Sequence, residues 1–580
     1  KDGTSFAVNG AERKERFLVK KRVIGLTLVV CLLFSTTAFA SSTSISQMSP
    51  DMNAAIEVAT SYLEDAAYSQ YFYDAQDLVA HTIEVIPENE KAVLSQSIAE
   101  YPSFRSAQAV VPYEDTSINT GTLQAFEENL ELHRDSVAYY GHLNELENTT
   151  YKYFTPSYDV VDGNIDGDFA TVNVYETIDF QYSDCDEPSM MVTHYYISLV
   201  KYDGEWLVMS VESDDLFYQT YRDSDFKLSE AIEGIDAAFE ENEQLALSEP
   251  ATSDDNVGQL VPAANSSTDR KYIPKNAVNY ALTYSSSGDD GNKSPSYRNK
   301  NFYWSSSSCQ LFVSQCIWAG FGGSNSPDDI NDRLVMDTSG SYQWWSTDSK
   351  YNHPNYNDPG SPSDKGWNSW IKCSQFKVYV DGVKASSTES GIVCDTHSVP
   401  YNSDNMVGSS GLTKNDLIGA ALHVNGADPL GHAVIINNAT GTTRQTVYYT
   451  CYNNCAKNIR LSTRFPSSKS STDNKIYVMV PRYLRGANGA TSNYLYADLQ
   501  NALVKGTSGV RQTLYGRSVS AVSSLTMKVY KPNTANAAYT FKASNKNVVS
   551  GSVLFNVAGE WKVVVSGTGL DPFTYIIRVV

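Results

Sequence analysis

Ser308-Cys309-Gln310-Leu311-Phe312-Val313-Ser314-Gln315-Cys316-Ile317-Trp318-Ala319-Gly320 is the stretch from which the fold is read. Phe312, Cys316 and Ala319 recur at i, i+4 and i+7, with Val313 and Ile317 beside them, so the run predicts a short apolar helix that Gly320 stops. Cys309 opens that helix. A thiol there meets the positive end of the macrodipole and unpaired backbone N–H groups, which favours thiolate and offers donors to an oxyanion. The plainer reading of Cys309 is a buried cysteine on a core helix, and a base within reach is what separates the two.

The candidate base lies in Gly431-His432-Ala433-Val434-Ile435-Ile436-Asn437. A histidine that begins a β-branched strand after a Pro429-Leu430-Gly431 turn is held at a strand end near solvent. A thiol paired with an imidazole is nucleophilic at neutral pH. His423, inside the preceding strand Leu417–Val424, is the rival, although its apolar setting suits core packing better. His353 and His397 lie in Pro/Asn/Ser-rich loops without a strand context.

These residues resemble the bacterial putative amidase domain of the papain-like cysteine hydrolase superfamily. The resemblance covers Tyr272 to Arg485. It takes in Asn276–Ala281, Ser294-Pro295-Ser296-Tyr297, Cys309–Gln315, Trp344-Trp345, Trp367-Asn368-Ser369-Trp370, Leu412–Ile418 and Gly431-His432. It implies an α+β, papain-like catalytic core in which a cysteine-bearing helix packs on an antiparallel sheet. It further implies Cys309 as nucleophile, His432 as general base, and amide cleavage, often in cell-wall peptides. The chain departs from the family pattern at Ser308, where the family has Asp, and at Leu311, where it has Asn. The family's later His-Thr stretch falls on Cys451-Tyr452-Asn453-Asn454, which has no histidine. Asn453 is the choice for the group that orients His432, because an amide oxygen accepts a ring N–H; Asn454 and Asn437 are alternatives.

Outward from this core, 580 residues allow several domains, and 12 % aromatic residues with 39 tyrosines suit folded ones. Residues 52–247 read as an acidic α+β accessory domain. Helices are expected over Ala54–Val79 and Thr122–Glu147, a strand over Thr171–Tyr175, and a hairpin at Tyr202-Asp203-Gly204-Glu205. Asp162-Gly163-Asn164-Ile165-Asp166-Gly167-Asp168 mimics the start of a calcium loop. Its twelfth position is Asn173, which lacks a carboxylate, so a hairpin turn is expected there. Residues 248–271 read as a linker, 272–485 as the catalytic domain, and 493–580 as an Ig-like β-sandwich, a structural or wall-polymer-binding module.

The net charge of −22 disfavours nucleic-acid partners. It is unevenly spread: Ser41–Pro250 carries 41 acidic and 7 basic residues, Ala251–Val580 carries 30 basic and 22 acidic. Two separately solvated surfaces are the simpler reading, an acidic module lying against a basic one the other. A regulatory version has the acidic module covering the catalytic one until it is removed.

Lys20-Lys21-Arg22, the apolar run Val23–Phe34 and Ala38-Phe39-Ala40 read as a signal peptide cleaved after Ala40, with residues 1–16 upstream of the true start. Secretion is expected, with no membrane span after cleavage. Seven cysteines then remain, an odd number; Cys451–Cys455 and Cys373–Cys394 are the sequence-close pairings, and zinc at Cys451-x3-Cys455 lacks a second ligand pair. No cofactor or metal is expected. The leading expectation is a secreted cysteine amidohydrolase or peptidase acting on a peptide or peptidoglycan-type substrate. The rival is an inactive surface or wall-binding interaction protein built on the same scaffold.

Overall fold

Tyr202-Asp203-Gly204-Glu205 makes the expected tight turn: Asp203 and Gly204 take φ of 49° and 87°, the left-handed pair that a two-residue hairpin needs. The computed structural model describes residues 49–72, 78–100, 122–215, 218, 227–248, 269–285, 299, 302, 309–323, 342–344, 365–386, 389–424, 432–452, 456–466, 475–485, 493, 495–497 and 509–579. Ala55–Val580 is one compact unit. Of Lys1–Ala54 only the start of the first helix is described, where Ser49 Oγ accepts the Met52 N–H at 3.1 Å. The expected signal segment lies outside the described residues.

In the front region, helices α1 (Pro50–Phe72), α2 (Glu88–Glu100) and α3 (Leu123–Leu146) precede four strands, β1 (Tyr151–Asp166), β2 (Phe169–Tyr182), β3 (Ser189–Tyr202) and β4 (Glu205–Ser213). Helix α4 (Leu228–Ser248) follows. Thr122 caps α3 by accepting the Ala125 N–H at 3.2 Å. The strands form an antiparallel meander. The calcium-like motif is part of it: Asp162 to Asp166 pair with Asn173 to Phe169, and Gly167 turns the chain at φ 62°.

The following region contains β5 (Arg270–Lys271), α5 (Pro274–Tyr284), α6 (Cys309–Gly320), α7 (Lys365–Ile371), α8 (Cys373–Ala385), β6 (Gly391–Pro400), α9 (Lys414–Leu417), β7 (Ala421–Val424), β8 (His432–Ala439), β9 (Val447–Thr450), β10 (Ala456–Lys457), β11 (Ile459–Arg460), α10 (Leu461–Arg464) and β12 (Lys475–Arg485). An antiparallel sheet runs β11-β9-β8-β7-β12-β5, with β6 also paired to β12. Helix α6 packs against β8, α5 and α7 and is buried from Gln310 to Gly320. The molecule is thus mixed α and β with antiparallel sheets, consistent with the α+β expectation.

Helix α6 ends differently from the expected glycine stop. Gly320 lies within its last turn, and a Cβ there would stand 2.1 Å from the Tyr272 ring, so the glycine admits that ring. The stop is Gly322 at φ 87°, with its N–H donating to the Ala319 carbonyl at 2.9 Å and the Gly323 N–H to the Trp318 carbonyl at 3.1 Å. This pair of bonds is a Schellman cap.

The front region and the region that follows it share a core. Tyr71, Ile178, Phe180, Tyr182 and Met191 pack in one buried cluster with Val434, Ile436, Tyr448, Ile459 and Val478. The chain crosses between the sheets at β10, where Ala456 and Lys457 pair with Met191 and Met190 of β3, before β11 returns to pair with β9. Buried charge accompanies the crossing. Arg460 donates to Asp184 at 2.8 Å and lies 4.6 Å over the Tyr182 ring, while Arg464 pairs with Asp215 and donates to the Tyr140 hydroxyl at 2.9 Å. At this seam basic side chains of the back half lie against acidic ones of the front, where separately solvated surfaces were the simpler expectation.

The C-terminal strand-like runs fall on β13 (Leu495–Ala497), β14 (Val510–Tyr530), β15 (Ala537–Phe555), β16 (Gly559–Gly567) and β17 (Leu570–Val579). Among the described residues they form one antiparallel sheet, β13-β14-β16-β17 with β15 on β14, over a core that includes Leu525, Trp561 and Tyr575.

Candidate active site

Cys309 is the first residue of α6 and is half-buried where the rest of the helix is buried. His432 is the first residue of β8, beside Val424 of β7, and is also half-buried. The helix packs on that strand, and the Cys309 thiol and the His432 imidazole lie close enough that each shifts the other's ionisation. Two residues far apart in sequence are brought near one another because each starts an element of the packed helix–sheet layer.

A second sulfur adjoins the first. Cys373 begins α8, and its Sγ stands 4.0 Å from that of Cys309. The Cys309 thiol is held well below the usual thiol range, first by the hydrogen bond from Cys373 and then by His432, against the opposing effect of burial. Cys373 is pushed up in turn by the neighbouring sulfur and by burial. For His432, burial disfavours the charged ring, yet the neighbouring Cys309 and Cys451 sulfurs outweigh it and push the imidazole up to about 10. The opposed shifts therefore favour a Cys309 thiolate beside an imidazolium.

Cys451 and Phe465 complete the surroundings of His432. Cys451 follows β9 and is 2 % exposed; Phe465 follows α10, with its ring stacked at 5.9 Å and 30° to the imidazole. Arg444 donates to the Phe465 carbonyl from a fully buried position.

His423 takes a different place. Its Nε2 is 2.6 Å from Gln310 Oε1, and Gln310 Nε2 donates to Ser314 Oγ at 3.0 Å. Ser314 Oγ donates to the Trp370 carbonyl at 2.8 Å and accepts the Trp344 indole N–H at 3.2 Å. Burial pushes His423 down to about 3, so it is a neutral core histidine, as its apolar strand suggested. His397 hydrogen-bonds the Met406 carbonyl at 2.8 Å, and His353 lies outside the described residues. Trp344 and Trp370 are 1 % and 0 % exposed, with rings 4.5 Å apart, so these two pack in the core and do not line a groove.

Asn453, the chosen orienting residue, and Asn454 lie outside the described residues. Asn437 is in the polar knot at the seam, donating to Asn458 Oδ1 at 2.6 Å and accepting from Thr450 Oγ1 at 3.1 Å. The group that raises the His432 imidazole alongside Cys309 is Cys451, for which the sequence suggested no such role. Cys451 does belong to the Cys451–Asn454 stretch on which the resemblance sets the family's later His-Thr. Cys373 was missed for another reason: it was matched to Cys394, its neighbour in sequence. No disulfide joins them; Cys394 is fully buried in β6 while Cys373 faces Cys309. The Cys451–Cys455 pairing involves a residue outside those described. Among the described residues no cluster of His, Cys, Asp and Glu has the arrangement of a metal site, and no helix is long and apolar enough to cross a membrane.

Residues 271–479 match the family described as "Putative amidase domain". This match contains both Cys309 and His432 and suggests amide hydrolysis in general terms. No curated protein matches the chain. Among solved structures, the C-terminally truncated trimeric ectodomain of the C. elegans fusion protein EFF-1 aligns over 74 % of this chain and 83 % of its own. With 8 % identity and a TM-score of 0.11, that alignment carries no argument about the fold of the amidase domain.

Proposed function

We propose that the amidase domain is a papain-like cysteine hydrolase in which Cys309 attacks an amide carbonyl and His432 manages the proton. The observation that carries this reading is the half-buried Cys309 thiol at the start of a helix packed on the strand that His432 begins, with each group shifting the other's ionisation. The thiolate adds to the carbonyl carbon, and backbone N–H groups of the first turn of α6, that of Cys309 included, face the developing oxyanion. The imidazolium gives its proton to the leaving amine, which departs and leaves a thioester on Cys309. Neutral His432 then takes a proton from water, whose oxygen attacks the thioester and releases the acid. Cys451 and Phe465 hold the ring during both transfers.

The reading extends to a secreted protein acting on peptide bonds of wall-type substrates, supported by the signal-like Lys20–Ala40 and by the family resemblance. The C-terminal sheet, read as Ig-like, serves as its wall-polymer module. The direct test is hydrolysis of peptide and wall-fragment amides by the wild type and Cys309→Ala: loss of hydrolysis in the variant supports the reading, equal rates remove Cys309 as the nucleophile, and no hydrolysis by either protein leaves the domain as an interaction scaffold.

A further inference from the structure

We infer that Cys309 and Cys373 form a reversible disulfide under oxidant, which protects the nucleophile and switches the site off. The inference rests on the proposed reading of Cys309. Its structural basis is the 4.0 Å separation of two sulfurs that each begin a helix, α6 and α8, so that both sit against N-terminal backbone N–H groups. A bonded pair lies about 2.04 Å apart, so closing the gap takes about 2 Å of sulfur movement. Exposure differs between the two in the useful direction. Cys309 is half-buried and meets a small oxidant first, while Cys373, 8 % exposed, is sheltered and positioned to resolve the product.

The chemistry closes with a peroxide as oxidant. The Cys309 thiolate sulfur attacks one peroxide oxygen, the O–O bond breaks, and hydroxide leaves and takes the proton held on His432, giving water and a sulfenic acid. The Cys373 sulfur then attacks the Cys309 sulfur, the S–O bond breaks, and the departing hydroxide leaves as water with the Cys373 proton. Two thiols and one peroxide give one disulfide and two waters, with two electrons passing from sulfur to oxygen. A thiol reductant reverses the bond. Without Cys373 the sulfenic acid meets more peroxide and advances to sulfinic acid, which thiols do not reduce.

The test uses the full chain treated with hydrogen peroxide, quenched by alkylation and mapped by peptide mass spectrometry. The expected result is a linked Cys309–Cys373 peptide, two hydrogens lighter than the separate peptides, which a thiol reductant abolishes while restoring Cys309 alkylation. In Cys373→Ser, Cys309 sulfinic acid is expected to accumulate and recovery to fall at least several-fold. Wild-type protein that gives Cys309 sulfinic acid with Cys373 still alkylated, or links Cys309 to Cys451 instead, overturns the inference. Linkage is read on peptides and not on turnover, so the two readings separate. A missing link with Cys309-dependent hydrolysis removes only the disulfide. A link in a protein whose hydrolysis survives Cys309→Ala removes the nucleophile and leaves the disulfide standing.

Discussion

The first turn of α6 presents consecutive residues to two histidines, and the two sides have opposite chemistry. Cys309 meets His432 at the half-buried start of β8, and Gln310 meets His423 one residue along the register in β7. The His432 side has sulfur partners that favour a charged ring; the His423 side has an amide, a serine and the Phe376 ring 5.9 Å away, which favour a neutral one. Burial alone does not separate them, because it disfavours the charged ring at both. What separates them is the partner: an ionisable thiol on one side, an amide on the other. The sides also differ in what supports them. Gln310, Ser314 and Phe376 lie wholly within the residues that match the putative amidase family. Phe465 follows the segment that β10, Arg460 and Arg464 bind to the front region.

The largest effect that can break this comparison is expected at His432. His432→Ala removes both the proton carrier and the counter-ion of the thiolate. Hydrolysis should fall by about 10²- to 10⁴-fold, and alkylation of Cys309 at neutral pH by about tenfold or more. If His423→Ala instead has the larger effect on the pH profile of alkylation, the assignment of the two histidines is reversed.

Next in size is the seam. Arg464→Ala leaves Asp215 buried without its cation, and breaking such a pair costs about 3–5 kcal/mol. Denaturant unfolding should show that loss for the full chain, and protein from Tyr272 onward should fail to fold stably. Equal hydrolysis by that fragment would mean that the front region is a removable cover and not part of the same core.

His423→Phe breaks the bond to Gln310 and leaves that amide short of a buried partner, at a cost of about 1–3 kcal/mol. Chemical denaturation measures it, and the pH profile of Cys309 alkylation should keep its midpoint. The smallest effect is expected from Cys451→Ser, which keeps a hydrogen-bonding group beside His432 but weakens the sulfur contact. A few-fold change in hydrolysis with a lowered imidazole titration, read by NMR of the ring protons, fits a positioning role. An unmoved titration removes that role.

Much of this was legible in the sequence for physical reasons that can be named. The 3.6-residue apolar period from Phe312 to Ala319 and the β-branched run after His432 each fix a local element, and Asp203-Gly204 can adopt the turn it makes. The pairing of Cys309 with His432 was readable because each begins its element. What was not legible depends on three-dimensional adjacency. Cys373 faces Cys309 across 64 intervening steps of chain that carry no local signal of the encounter. The crossing at Ala456–Lys457 is two residues long, too short for any periodicity, and the composition break near 248–271 concealed a shared core.

The pH sensitivity of the site follows in sign from the two partners. His432 has a folded value above its unfolded one of about 6.5. Its stabilisation is complete below that pH and is lost as pH rises through about 10. Cys309 has a depressed folded value. Its stabilisation is complete above the unfolded thiol value of about 8.5 and is lost as pH falls through the folded one. The ion pair therefore dominates between the depressed thiol value and about 10. Iodoacetamide alkylation of Cys309 in the full-length protein, mapped by peptide mass spectrometry across pH, reads this window directly. The account predicts a reactive plateau reached well below the ordinary thiol range that persists until His432 loses its proton. A single rise centred near 8.5, unchanged by His432→Ala, would contradict it.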